Sequence, residues 1–173
     1  MSEVAVEYYD YWDSPLGRIL LVASGSALTG VHFSGEKYFP AIASEWIYQP
    51  DAKYIVSART QLAEYFACKR QVFTLKVEPA GTPFQRRVWR ALQEIPHGTT
   101  TNYGTLAARI GKPTASRAVG AANGRNPISI VIPCHRVIGA AGDLTGYAGG
   151  LDRKAALLRL EAEAAGEFQL TSP

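Results

Sequence analysis

The sequence predicts an α/β (α+β) amino-terminal unit with a small antiparallel sheet, followed by a mainly α carboxy-terminal unit of the winged helix-turn-helix class. Three observations carry this. Two apolar runs flank Ser24-Gly25-Ser26, a hairpin signal, and an amphipathic helix pattern follows them. The segment Glu78-Pro79-Ala80-Gly81 breaks every periodic pattern, dividing the chain into residues 1–81 and 82–173. Beyond it, two short helical patterns over about 103–124 surround a turn at Lys112-Pro113.

In chain order, residues 18–23 and 28–33 read as strands. A helix over about 51–68 places Ile55, Ala58, Leu62 and Phe66 on one face, with Cys68 near its end, and 73–77 is a candidate last strand. Thr82, Pro83 and Gln85 form a capping box with proline at the first helical position, followed by the stripe Phe84, Val88, Leu92 and Ile95. The next helix runs over 103–110 and is closed by Gly111. Thr114 can cap its successor over 115–122, which gathers Ala115, Ala118, Val119 and Ala122 on one side and points Arg117 to solvent. A final helix over 151–165, closed by Gly166, carries Leu151, Ala155, Leu158 and Ala162. Glu161 falls at the edge of that face, where a carboxylate either reaches water or accepts hydrogen bonds from a basic group such as His135.

Composition narrows the functional classes. At 173 residues, 47% hydrophobic and 19% charged, the chain reads as an ordinary soluble protein, with no apolar run long enough for a membrane span. Met1-Ser2-Glu3 leads into acidic and aromatic residues, so no secretory leader is expected. Two cysteines, Cys68 and Cys134, fit a reducing compartment, and a cytoplasmic location is expected. No cysteine pair has zinc-ligand spacing and His32, His97 and His135 lie far apart, so neither a metal nor another cofactor is expected. Residues 1–81 carry net charge −2 and residues 82–173 net +5. Between Arg86 and Arg136 the only acid is Glu94, a bias that fits a polyanion partner or a solvated basic face.

The chemical signal is Pro133-Cys134-His135-Arg136-Val137, within the active-site segment 132–137. It follows the apolar run 128–132, which reads as a buried strand that Pro133 ends. A thiol fixed at a strand end beside a base suits a cysteine nucleophile. On adjacency alone, a buried structural cysteine fits as well.

Taken with Thr82-Pro83-Phe84-Gln85, Tyr103-Gly104, Ser116-Arg117-Ala118-Val119-Gly120, Asn126-Pro127 and Gly146-Tyr147-Ala148-Gly149-Gly150, this motif resembles the O6-alkylguanine-DNA alkyltransferase family, or methylated-DNA–protein-cysteine methyltransferases, in their bacterial form. The resemblance covers 83–161 in order and spacing; over 1–81 it is architectural. A related non-enzymatic group has tryptophan in place of the acceptor cysteine, which is intact here as Cys134. The cysteines that hold a structural zinc in some relatives are missing.

The resemblance implies direct-reversal DNA repair, in which an alkyl group passes irreversibly from O6 of guanine, and less readily from O4 of alkylthymine, to the Cys134 thiolate, once per chain. It implies that His135 is a water-mediated base oriented by Glu161, and that Tyr103 helps to rotate the nucleotide and protonates the departing base. Asn126 would be a hinge to the active-site strand and Arg117 a finger filling the gap left by a flipped base. Thr114, Ser116, Ala118 and Asn123 join Tyr103 and Arg117 in contacting DNA through the minor groove. Tyr147 and Ala148 line the alkyl pocket, and the carbonyls of Cys134 and Val137 read the guanine amino group. The implied partner is double-stranded DNA carrying O6-alkylguanine, bound by a monomer, with single-stranded and cooperative binding left open. The rivals from other classes are a winged helix-turn-helix binder without chemistry and a Cys-His hydrolase, for which no oxyanion-hole motif is present.

Overall fold

The computed structural model describes residues 4–171, with side chains through residue 166; the expected absence of a leader at Met1-Ser2-Glu3 concerns residues outside that range. The amino-terminal half is built on strands β1 (Tyr8–Ser14), β2 (Gly17–Ala23), β3 (Leu28–Phe33) and β4 (Ile47–Tyr48), in the order β3-β2-β1-β4. The first three pair antiparallel and the short β4 adds parallel to β1, so the sheet is mixed. β1 was not anticipated. Its sequence, YYDYWDS, mixes exposed and half-buried positions and lacks an apolar run. The β2–β3 turn is closed by the Ser24 hydroxyl, which accepts from the Ser26 and Ala27 amides.

Helix α1 (Lys53–Phe66) buries Ile55, Ala58, Leu62 and Tyr65, so Tyr65 rather than Phe66 completes the core face. Cys68, in left-handed backbone at φ 60°, lies just beyond it. The expected strand over 73–77 is reduced to one bridge between Val77 and Leu28.

Helix α2 (Pro83–Leu92) starts with the expected capping box and buries Val88, Trp89 and Leu92. The Trp89 indole donates to the Ala122 carbonyl at 2.8 Å, tying α2 to the helix-turn-helix. That unit comprises α3 (Tyr103–Arg109) and α4 (Ser116–Gly124). Thr114 does not cap α4: Ala115 holds the N-cap position, without a side-chain bond. The buried face of α4 is Val119, Ala122 and Asn123, while Ala118 is exposed beside Arg117. A short pattern of small residues cannot fix a face as narrow as this, because alanine packs acceptably on either side of its boundary.

The run 128–132 is not a strand. Ile128, Ile130 and Ile132 are fully buried, but the backbone curls, with only one bridge from Ile128 to Val31 and with Ile130 at φ 72°. Asn126 is the cause. Its Oδ1 accepts from the Ile128 amide at 3.0 Å, and its Nδ2 donates to the Ile132 carbonyl at 2.8 Å. The curl leads into a 3-10 turn, Cys134–Arg136, and then β6 (Val137–Ile138), which pairs parallel with β5 (Thr101–Asn102) as a minimal wing.

Helix α5 (Leu151–Thr171) continues through Gly166, contrary to the expected stop. Its buried positions are Lys154, Leu157, Glu161 and Ala164 rather than the apolar set that includes Ala162, and Leu151 is 47% exposed. Two charged side chains thus lie on the buried face of this helix. Among the described residues, no helix is long and apolar enough to cross a membrane.

Candidate active site

Cys134 opens the 3-10 turn, with its amide bonded to the Ile132 carbonyl at 2.8 Å. The backbone here is turned rather than extended. The thiol is 4% exposed. Burial pushes it up to about 11, opposed by the Asn126 amide and the Lys154 cation. A resting thiol in this environment holds its proton, so reaction requires a base.

His135 is completely buried, and its Nε2 lies 2.5 Å from Glu161 Oε2. Its Nδ1 has no hydrogen-bond partner among the described residues. The carboxylate fixes the tautomer: Nε2–H donates to Glu161, leaving the Nδ1 lone pair as the basic site. Desolvation lowers the His135 pKa, and the Arg136 and Lys154 cations lower it further against the pull of Glu161. The imidazole is therefore neutral at rest.

Glu161 has more partners than the sequence disclosed. Arg136 donates from Nε to Oε1 at 2.7 Å and from Nη2 to Oε2 at 3.2 Å. The Tyr65 hydroxyl donates to Oε2 at 2.7 Å, and the Gly98 amide approaches Oε1 at 3.3 Å. Burial alone would raise the carboxyl pKa, but the hydrogen bonds from His135 and Arg136 and the charge of Arg136 outweigh it and hold the group well below its ordinary range. The permanent cation is Arg136, so the resting cluster is Arg136⁺, Glu161⁻ and neutral His135, with no net charge. Glu161 Oε2, which already faces His135 Nε2, stabilises an imidazolium once His135 takes up a proton.

Lys154 is also buried, its Nζ donating to the carbonyls of Val137 at 2.6 Å and Thr145 at 2.7 Å. The Val137 and Cys134 carbonyls thus each have an internal donor, the latter from Asn123 Nδ2 at 3.4 Å. Each carbonyl retains a second lone pair. Asn123, expected to contact DNA, lies on the buried face of α4. Thr114, Arg117 and Ala118 are exposed and Ser116 is half-buried, all at the start of α4 or in the turn before it. The Tyr103 hydroxyl donates to the Thr145 carbonyl at 3.2 Å. A cavity of about 300 Å³ lies between Tyr103, the small residues Gly120, Ala121 and Gly124, and Tyr147-Ala148. Its remaining wall comes from Lys37 and Tyr38 of the amino-terminal half.

Arg136, Lys154 and Tyr65 were missed as site residues. The one available signal was the position of Lys154: it lies seven residues before Glu161, two turns along the same face of α5.

Two family models match nearly the whole chain. The ribonuclease-like domain of 6-O-methylguanine DNA methyltransferase matches residues 7–79, and the DNA binding domain of 6-O-methylguanine DNA methyltransferase matches residues 83–163. The methylated-DNA–protein-cysteine methyltransferase of Methanosarcina barkeri is 51% identical over 154 residues, covering 89% of this chain and 96% of the relative. That of Mycobacterium bovis is 49% identical over 154 residues, covering 89% and 92%. The crystal structure of Mycobacterium tuberculosis O6-methylguanine methyltransferase superimposes with a TM-score of 0.86 at 46% identity, covering 96% of this chain and all of that one. A structure of the Mycobacterium tuberculosis protein in complex with DNA gives 0.85 at 46% identity, covering 91% and 94%. With a buried thiol beside a histidine–carboxylate pair and both halves matched, the chain belongs to the methylated-DNA–protein-cysteine methyltransferase family, enzymes of direct-reversal DNA repair.

Proposed function

We propose that the protein binds double-stranded DNA, rotates an O6-alkylguanine out of the stack and transfers the alkyl group to Cys134 in a single irreversible turnover. The observation that carries this is the bond between His135 Nε2 and Glu161, which leaves Nδ1 as the base for a thiol that burial otherwise keeps protonated. His135 takes the thiol proton through a water. The Cys134 sulfur attacks the alkyl carbon, the S–C bond forms as the C–O6 bond breaks, and the electron pair leaves on the guanine. Tyr103 supplies a proton to the departing base, Glu161 holds the imidazolium, and the imidazolium proton then returns through water to the Tyr103 phenolate. The thioether has no leaving group that water displaces readily, so the chain is consumed. O4-alkylthymine is a poorer substrate in this scheme. The protein acts as a monomer in the cytoplasm, and no cofactor takes part.

Extrusion is required because O6 lies within the stack, beyond reach of a thiol that is 4% exposed. Tyr103, Tyr147 and Ala148 form the receiving pocket, while Thr114, Ser116, Arg117 and Ala118 face the duplex. Asn126, which curls the segment before Cys134, joins α4 to the reacting thiol.

Intact mass after incubation with methylated-guanine DNA tests this reading. One added methyl per chain is expected, on Cys134 and not Cys68, with no effect of chelator. Product released beyond one equivalent would rule out self-consumption. Arg117→Ala is expected to leave folding intact, since the side chain is exposed. It should slow repair of duplex DNA more than reaction with a free modified base, and equal losses on both substrates would remove Arg117 from the flipping step.

A further inference from the structure

The amino-terminal half reaches the cavity through a short, firmly built segment after β3. Glu36, 8% exposed, accepts from the Phe33 amide at 3.1 Å and pairs with His32 Nδ1 at 2.8 Å. This fixes the turn that presents Lys37 and Tyr38. The Lys37 amide then donates to the Ala148 carbonyl at 3.0 Å, joining the segment to the opposite wall. Arg153 adds a second tie, donating to the carbonyls of Leu16, Gly149 and Ser34.

Tyr38 is the aromatic side chain that this framework delivers to the cavity wall. The Arg125 guanidinium, at the C-cap of α4, lies 3.8 Å from the centre of its ring. Lys37 Nζ lies 5.3 Å from the same centre. Cation–aromatic contacts of this kind hold an exposed ring in one place. The same cavity is lined by Gly120, Ala121 and Gly124, which have almost no side chain to move. The dimension of the opening on this side therefore depends on Tyr38.

We propose that Tyr38, clasped by Arg125, is a specificity-determining wall of the alkylguanine pocket, so that the amino-terminal half sets the size of alkyl group admitted. The inference rests on the function proposed above. Opening the wall should favour large groups over small ones.

The test compares single-turnover transfer of n-butyl and methyl groups from the same duplex sequence, read as alkylated Cys134 by mass. Their ratio cancels any change in DNA affinity or in the fraction of folded protein. In Tyr38→Ala the butyl-to-methyl ratio should rise about tenfold, the scale on which enlarging an apolar pocket shifts discrimination between alkyl groups. Tyr38→Phe, which keeps the ring, should preserve the wild-type ratio. Arg125→Ala should raise it in the same direction as Tyr38→Ala, with no further rise in the double variant. An unchanged ratio in Tyr38→Ala, with Cys134 still alkylated, overturns the wall. A wild-type chain that alkylates Cys134 with neither group overturns the underlying function instead.

Discussion

Glu161→Gln is expected to destabilise the folded protein by about 3–5 kcal/mol, the usual cost of stranding the partner of a buried ion pair. The stranded partner is Arg136, which loses the anion that it contacts through two nitrogens. The amide also offers a donor where the Tyr65 hydroxyl and His135 Nε2–H both need an acceptor. Alkyl transfer should slow by about 10–100-fold, as for loss of a residue that orients a reacting one, while DNA affinity of the folded fraction changes little. Thermal melting, single-turnover rate and binding separate these effects. The wild-type protein should also show an acid limb that the variant lacks. Because the folded carboxyl titrates below its ordinary value, its stabilisation is complete above the unfolded value of about 4.3 and is lost as pH falls toward the lower folded one. An unchanged rate and melting temperature would remove Glu161 from both roles.

His135→Gln is expected to slow transfer at neutral pH by about 10²–10⁴-fold, the usual contribution of a positioned base. Without the imidazole, only the thiolate that exists spontaneously can react. With the thiol pushed up to about 11, that is about one molecule in ten thousand at pH 7. The variant's rate should therefore climb about tenfold per pH unit through the neutral and mildly alkaline range. The wild type should be flat near neutrality and fall only in acid, since His135 titrates below its ordinary value. Parallel profiles for the two proteins would show that His135 is not the base. The raised thiol also predicts lower stability on the alkaline side. The protonated folded form is favoured fully below the unfolded thiol value of about 8.5, and that advantage fades as pH rises toward about 11.

The sequence disclosed the capping box at Thr82, the two helices around Lys112-Pro113 and the adjacency of Cys134 and His135, because each is a local pattern with a local cause. Glu161 was legible as a carboxylate in need of a partner, since its place on α5 conflicts with the apolar periodicity. The run 128–132 misled for a physical reason. A short apolar run ended by proline is the mark of a buried strand, yet here the same run, with Ile128, Ser129, Ile130 and Ile132 all buried, forms a curl pinned by one asparagine side chain. The face of α5 misled similarly, because Lys154 and Glu161 are buried by specific polar partners rather than by hydrophobicity. Those partners include Tyr65, which lies 96 residues from Glu161 in sequence, and no periodicity spans that distance.

That last contact bears on how such a chain can be recombined. A crossover near Gly81 falls between the two matched regions and looks harmless on paper. It would nevertheless separate the Tyr65 hydroxyl from the carboxylate that it helps to hold, and the Val31 backbone from its bridge to Ile128. Chimeras joined there should retain a single cooperative melting transition only when the incoming half presents an equivalent hydroxyl at that point. The two halves are thus exchangeable as matched sets rather than as independent modules.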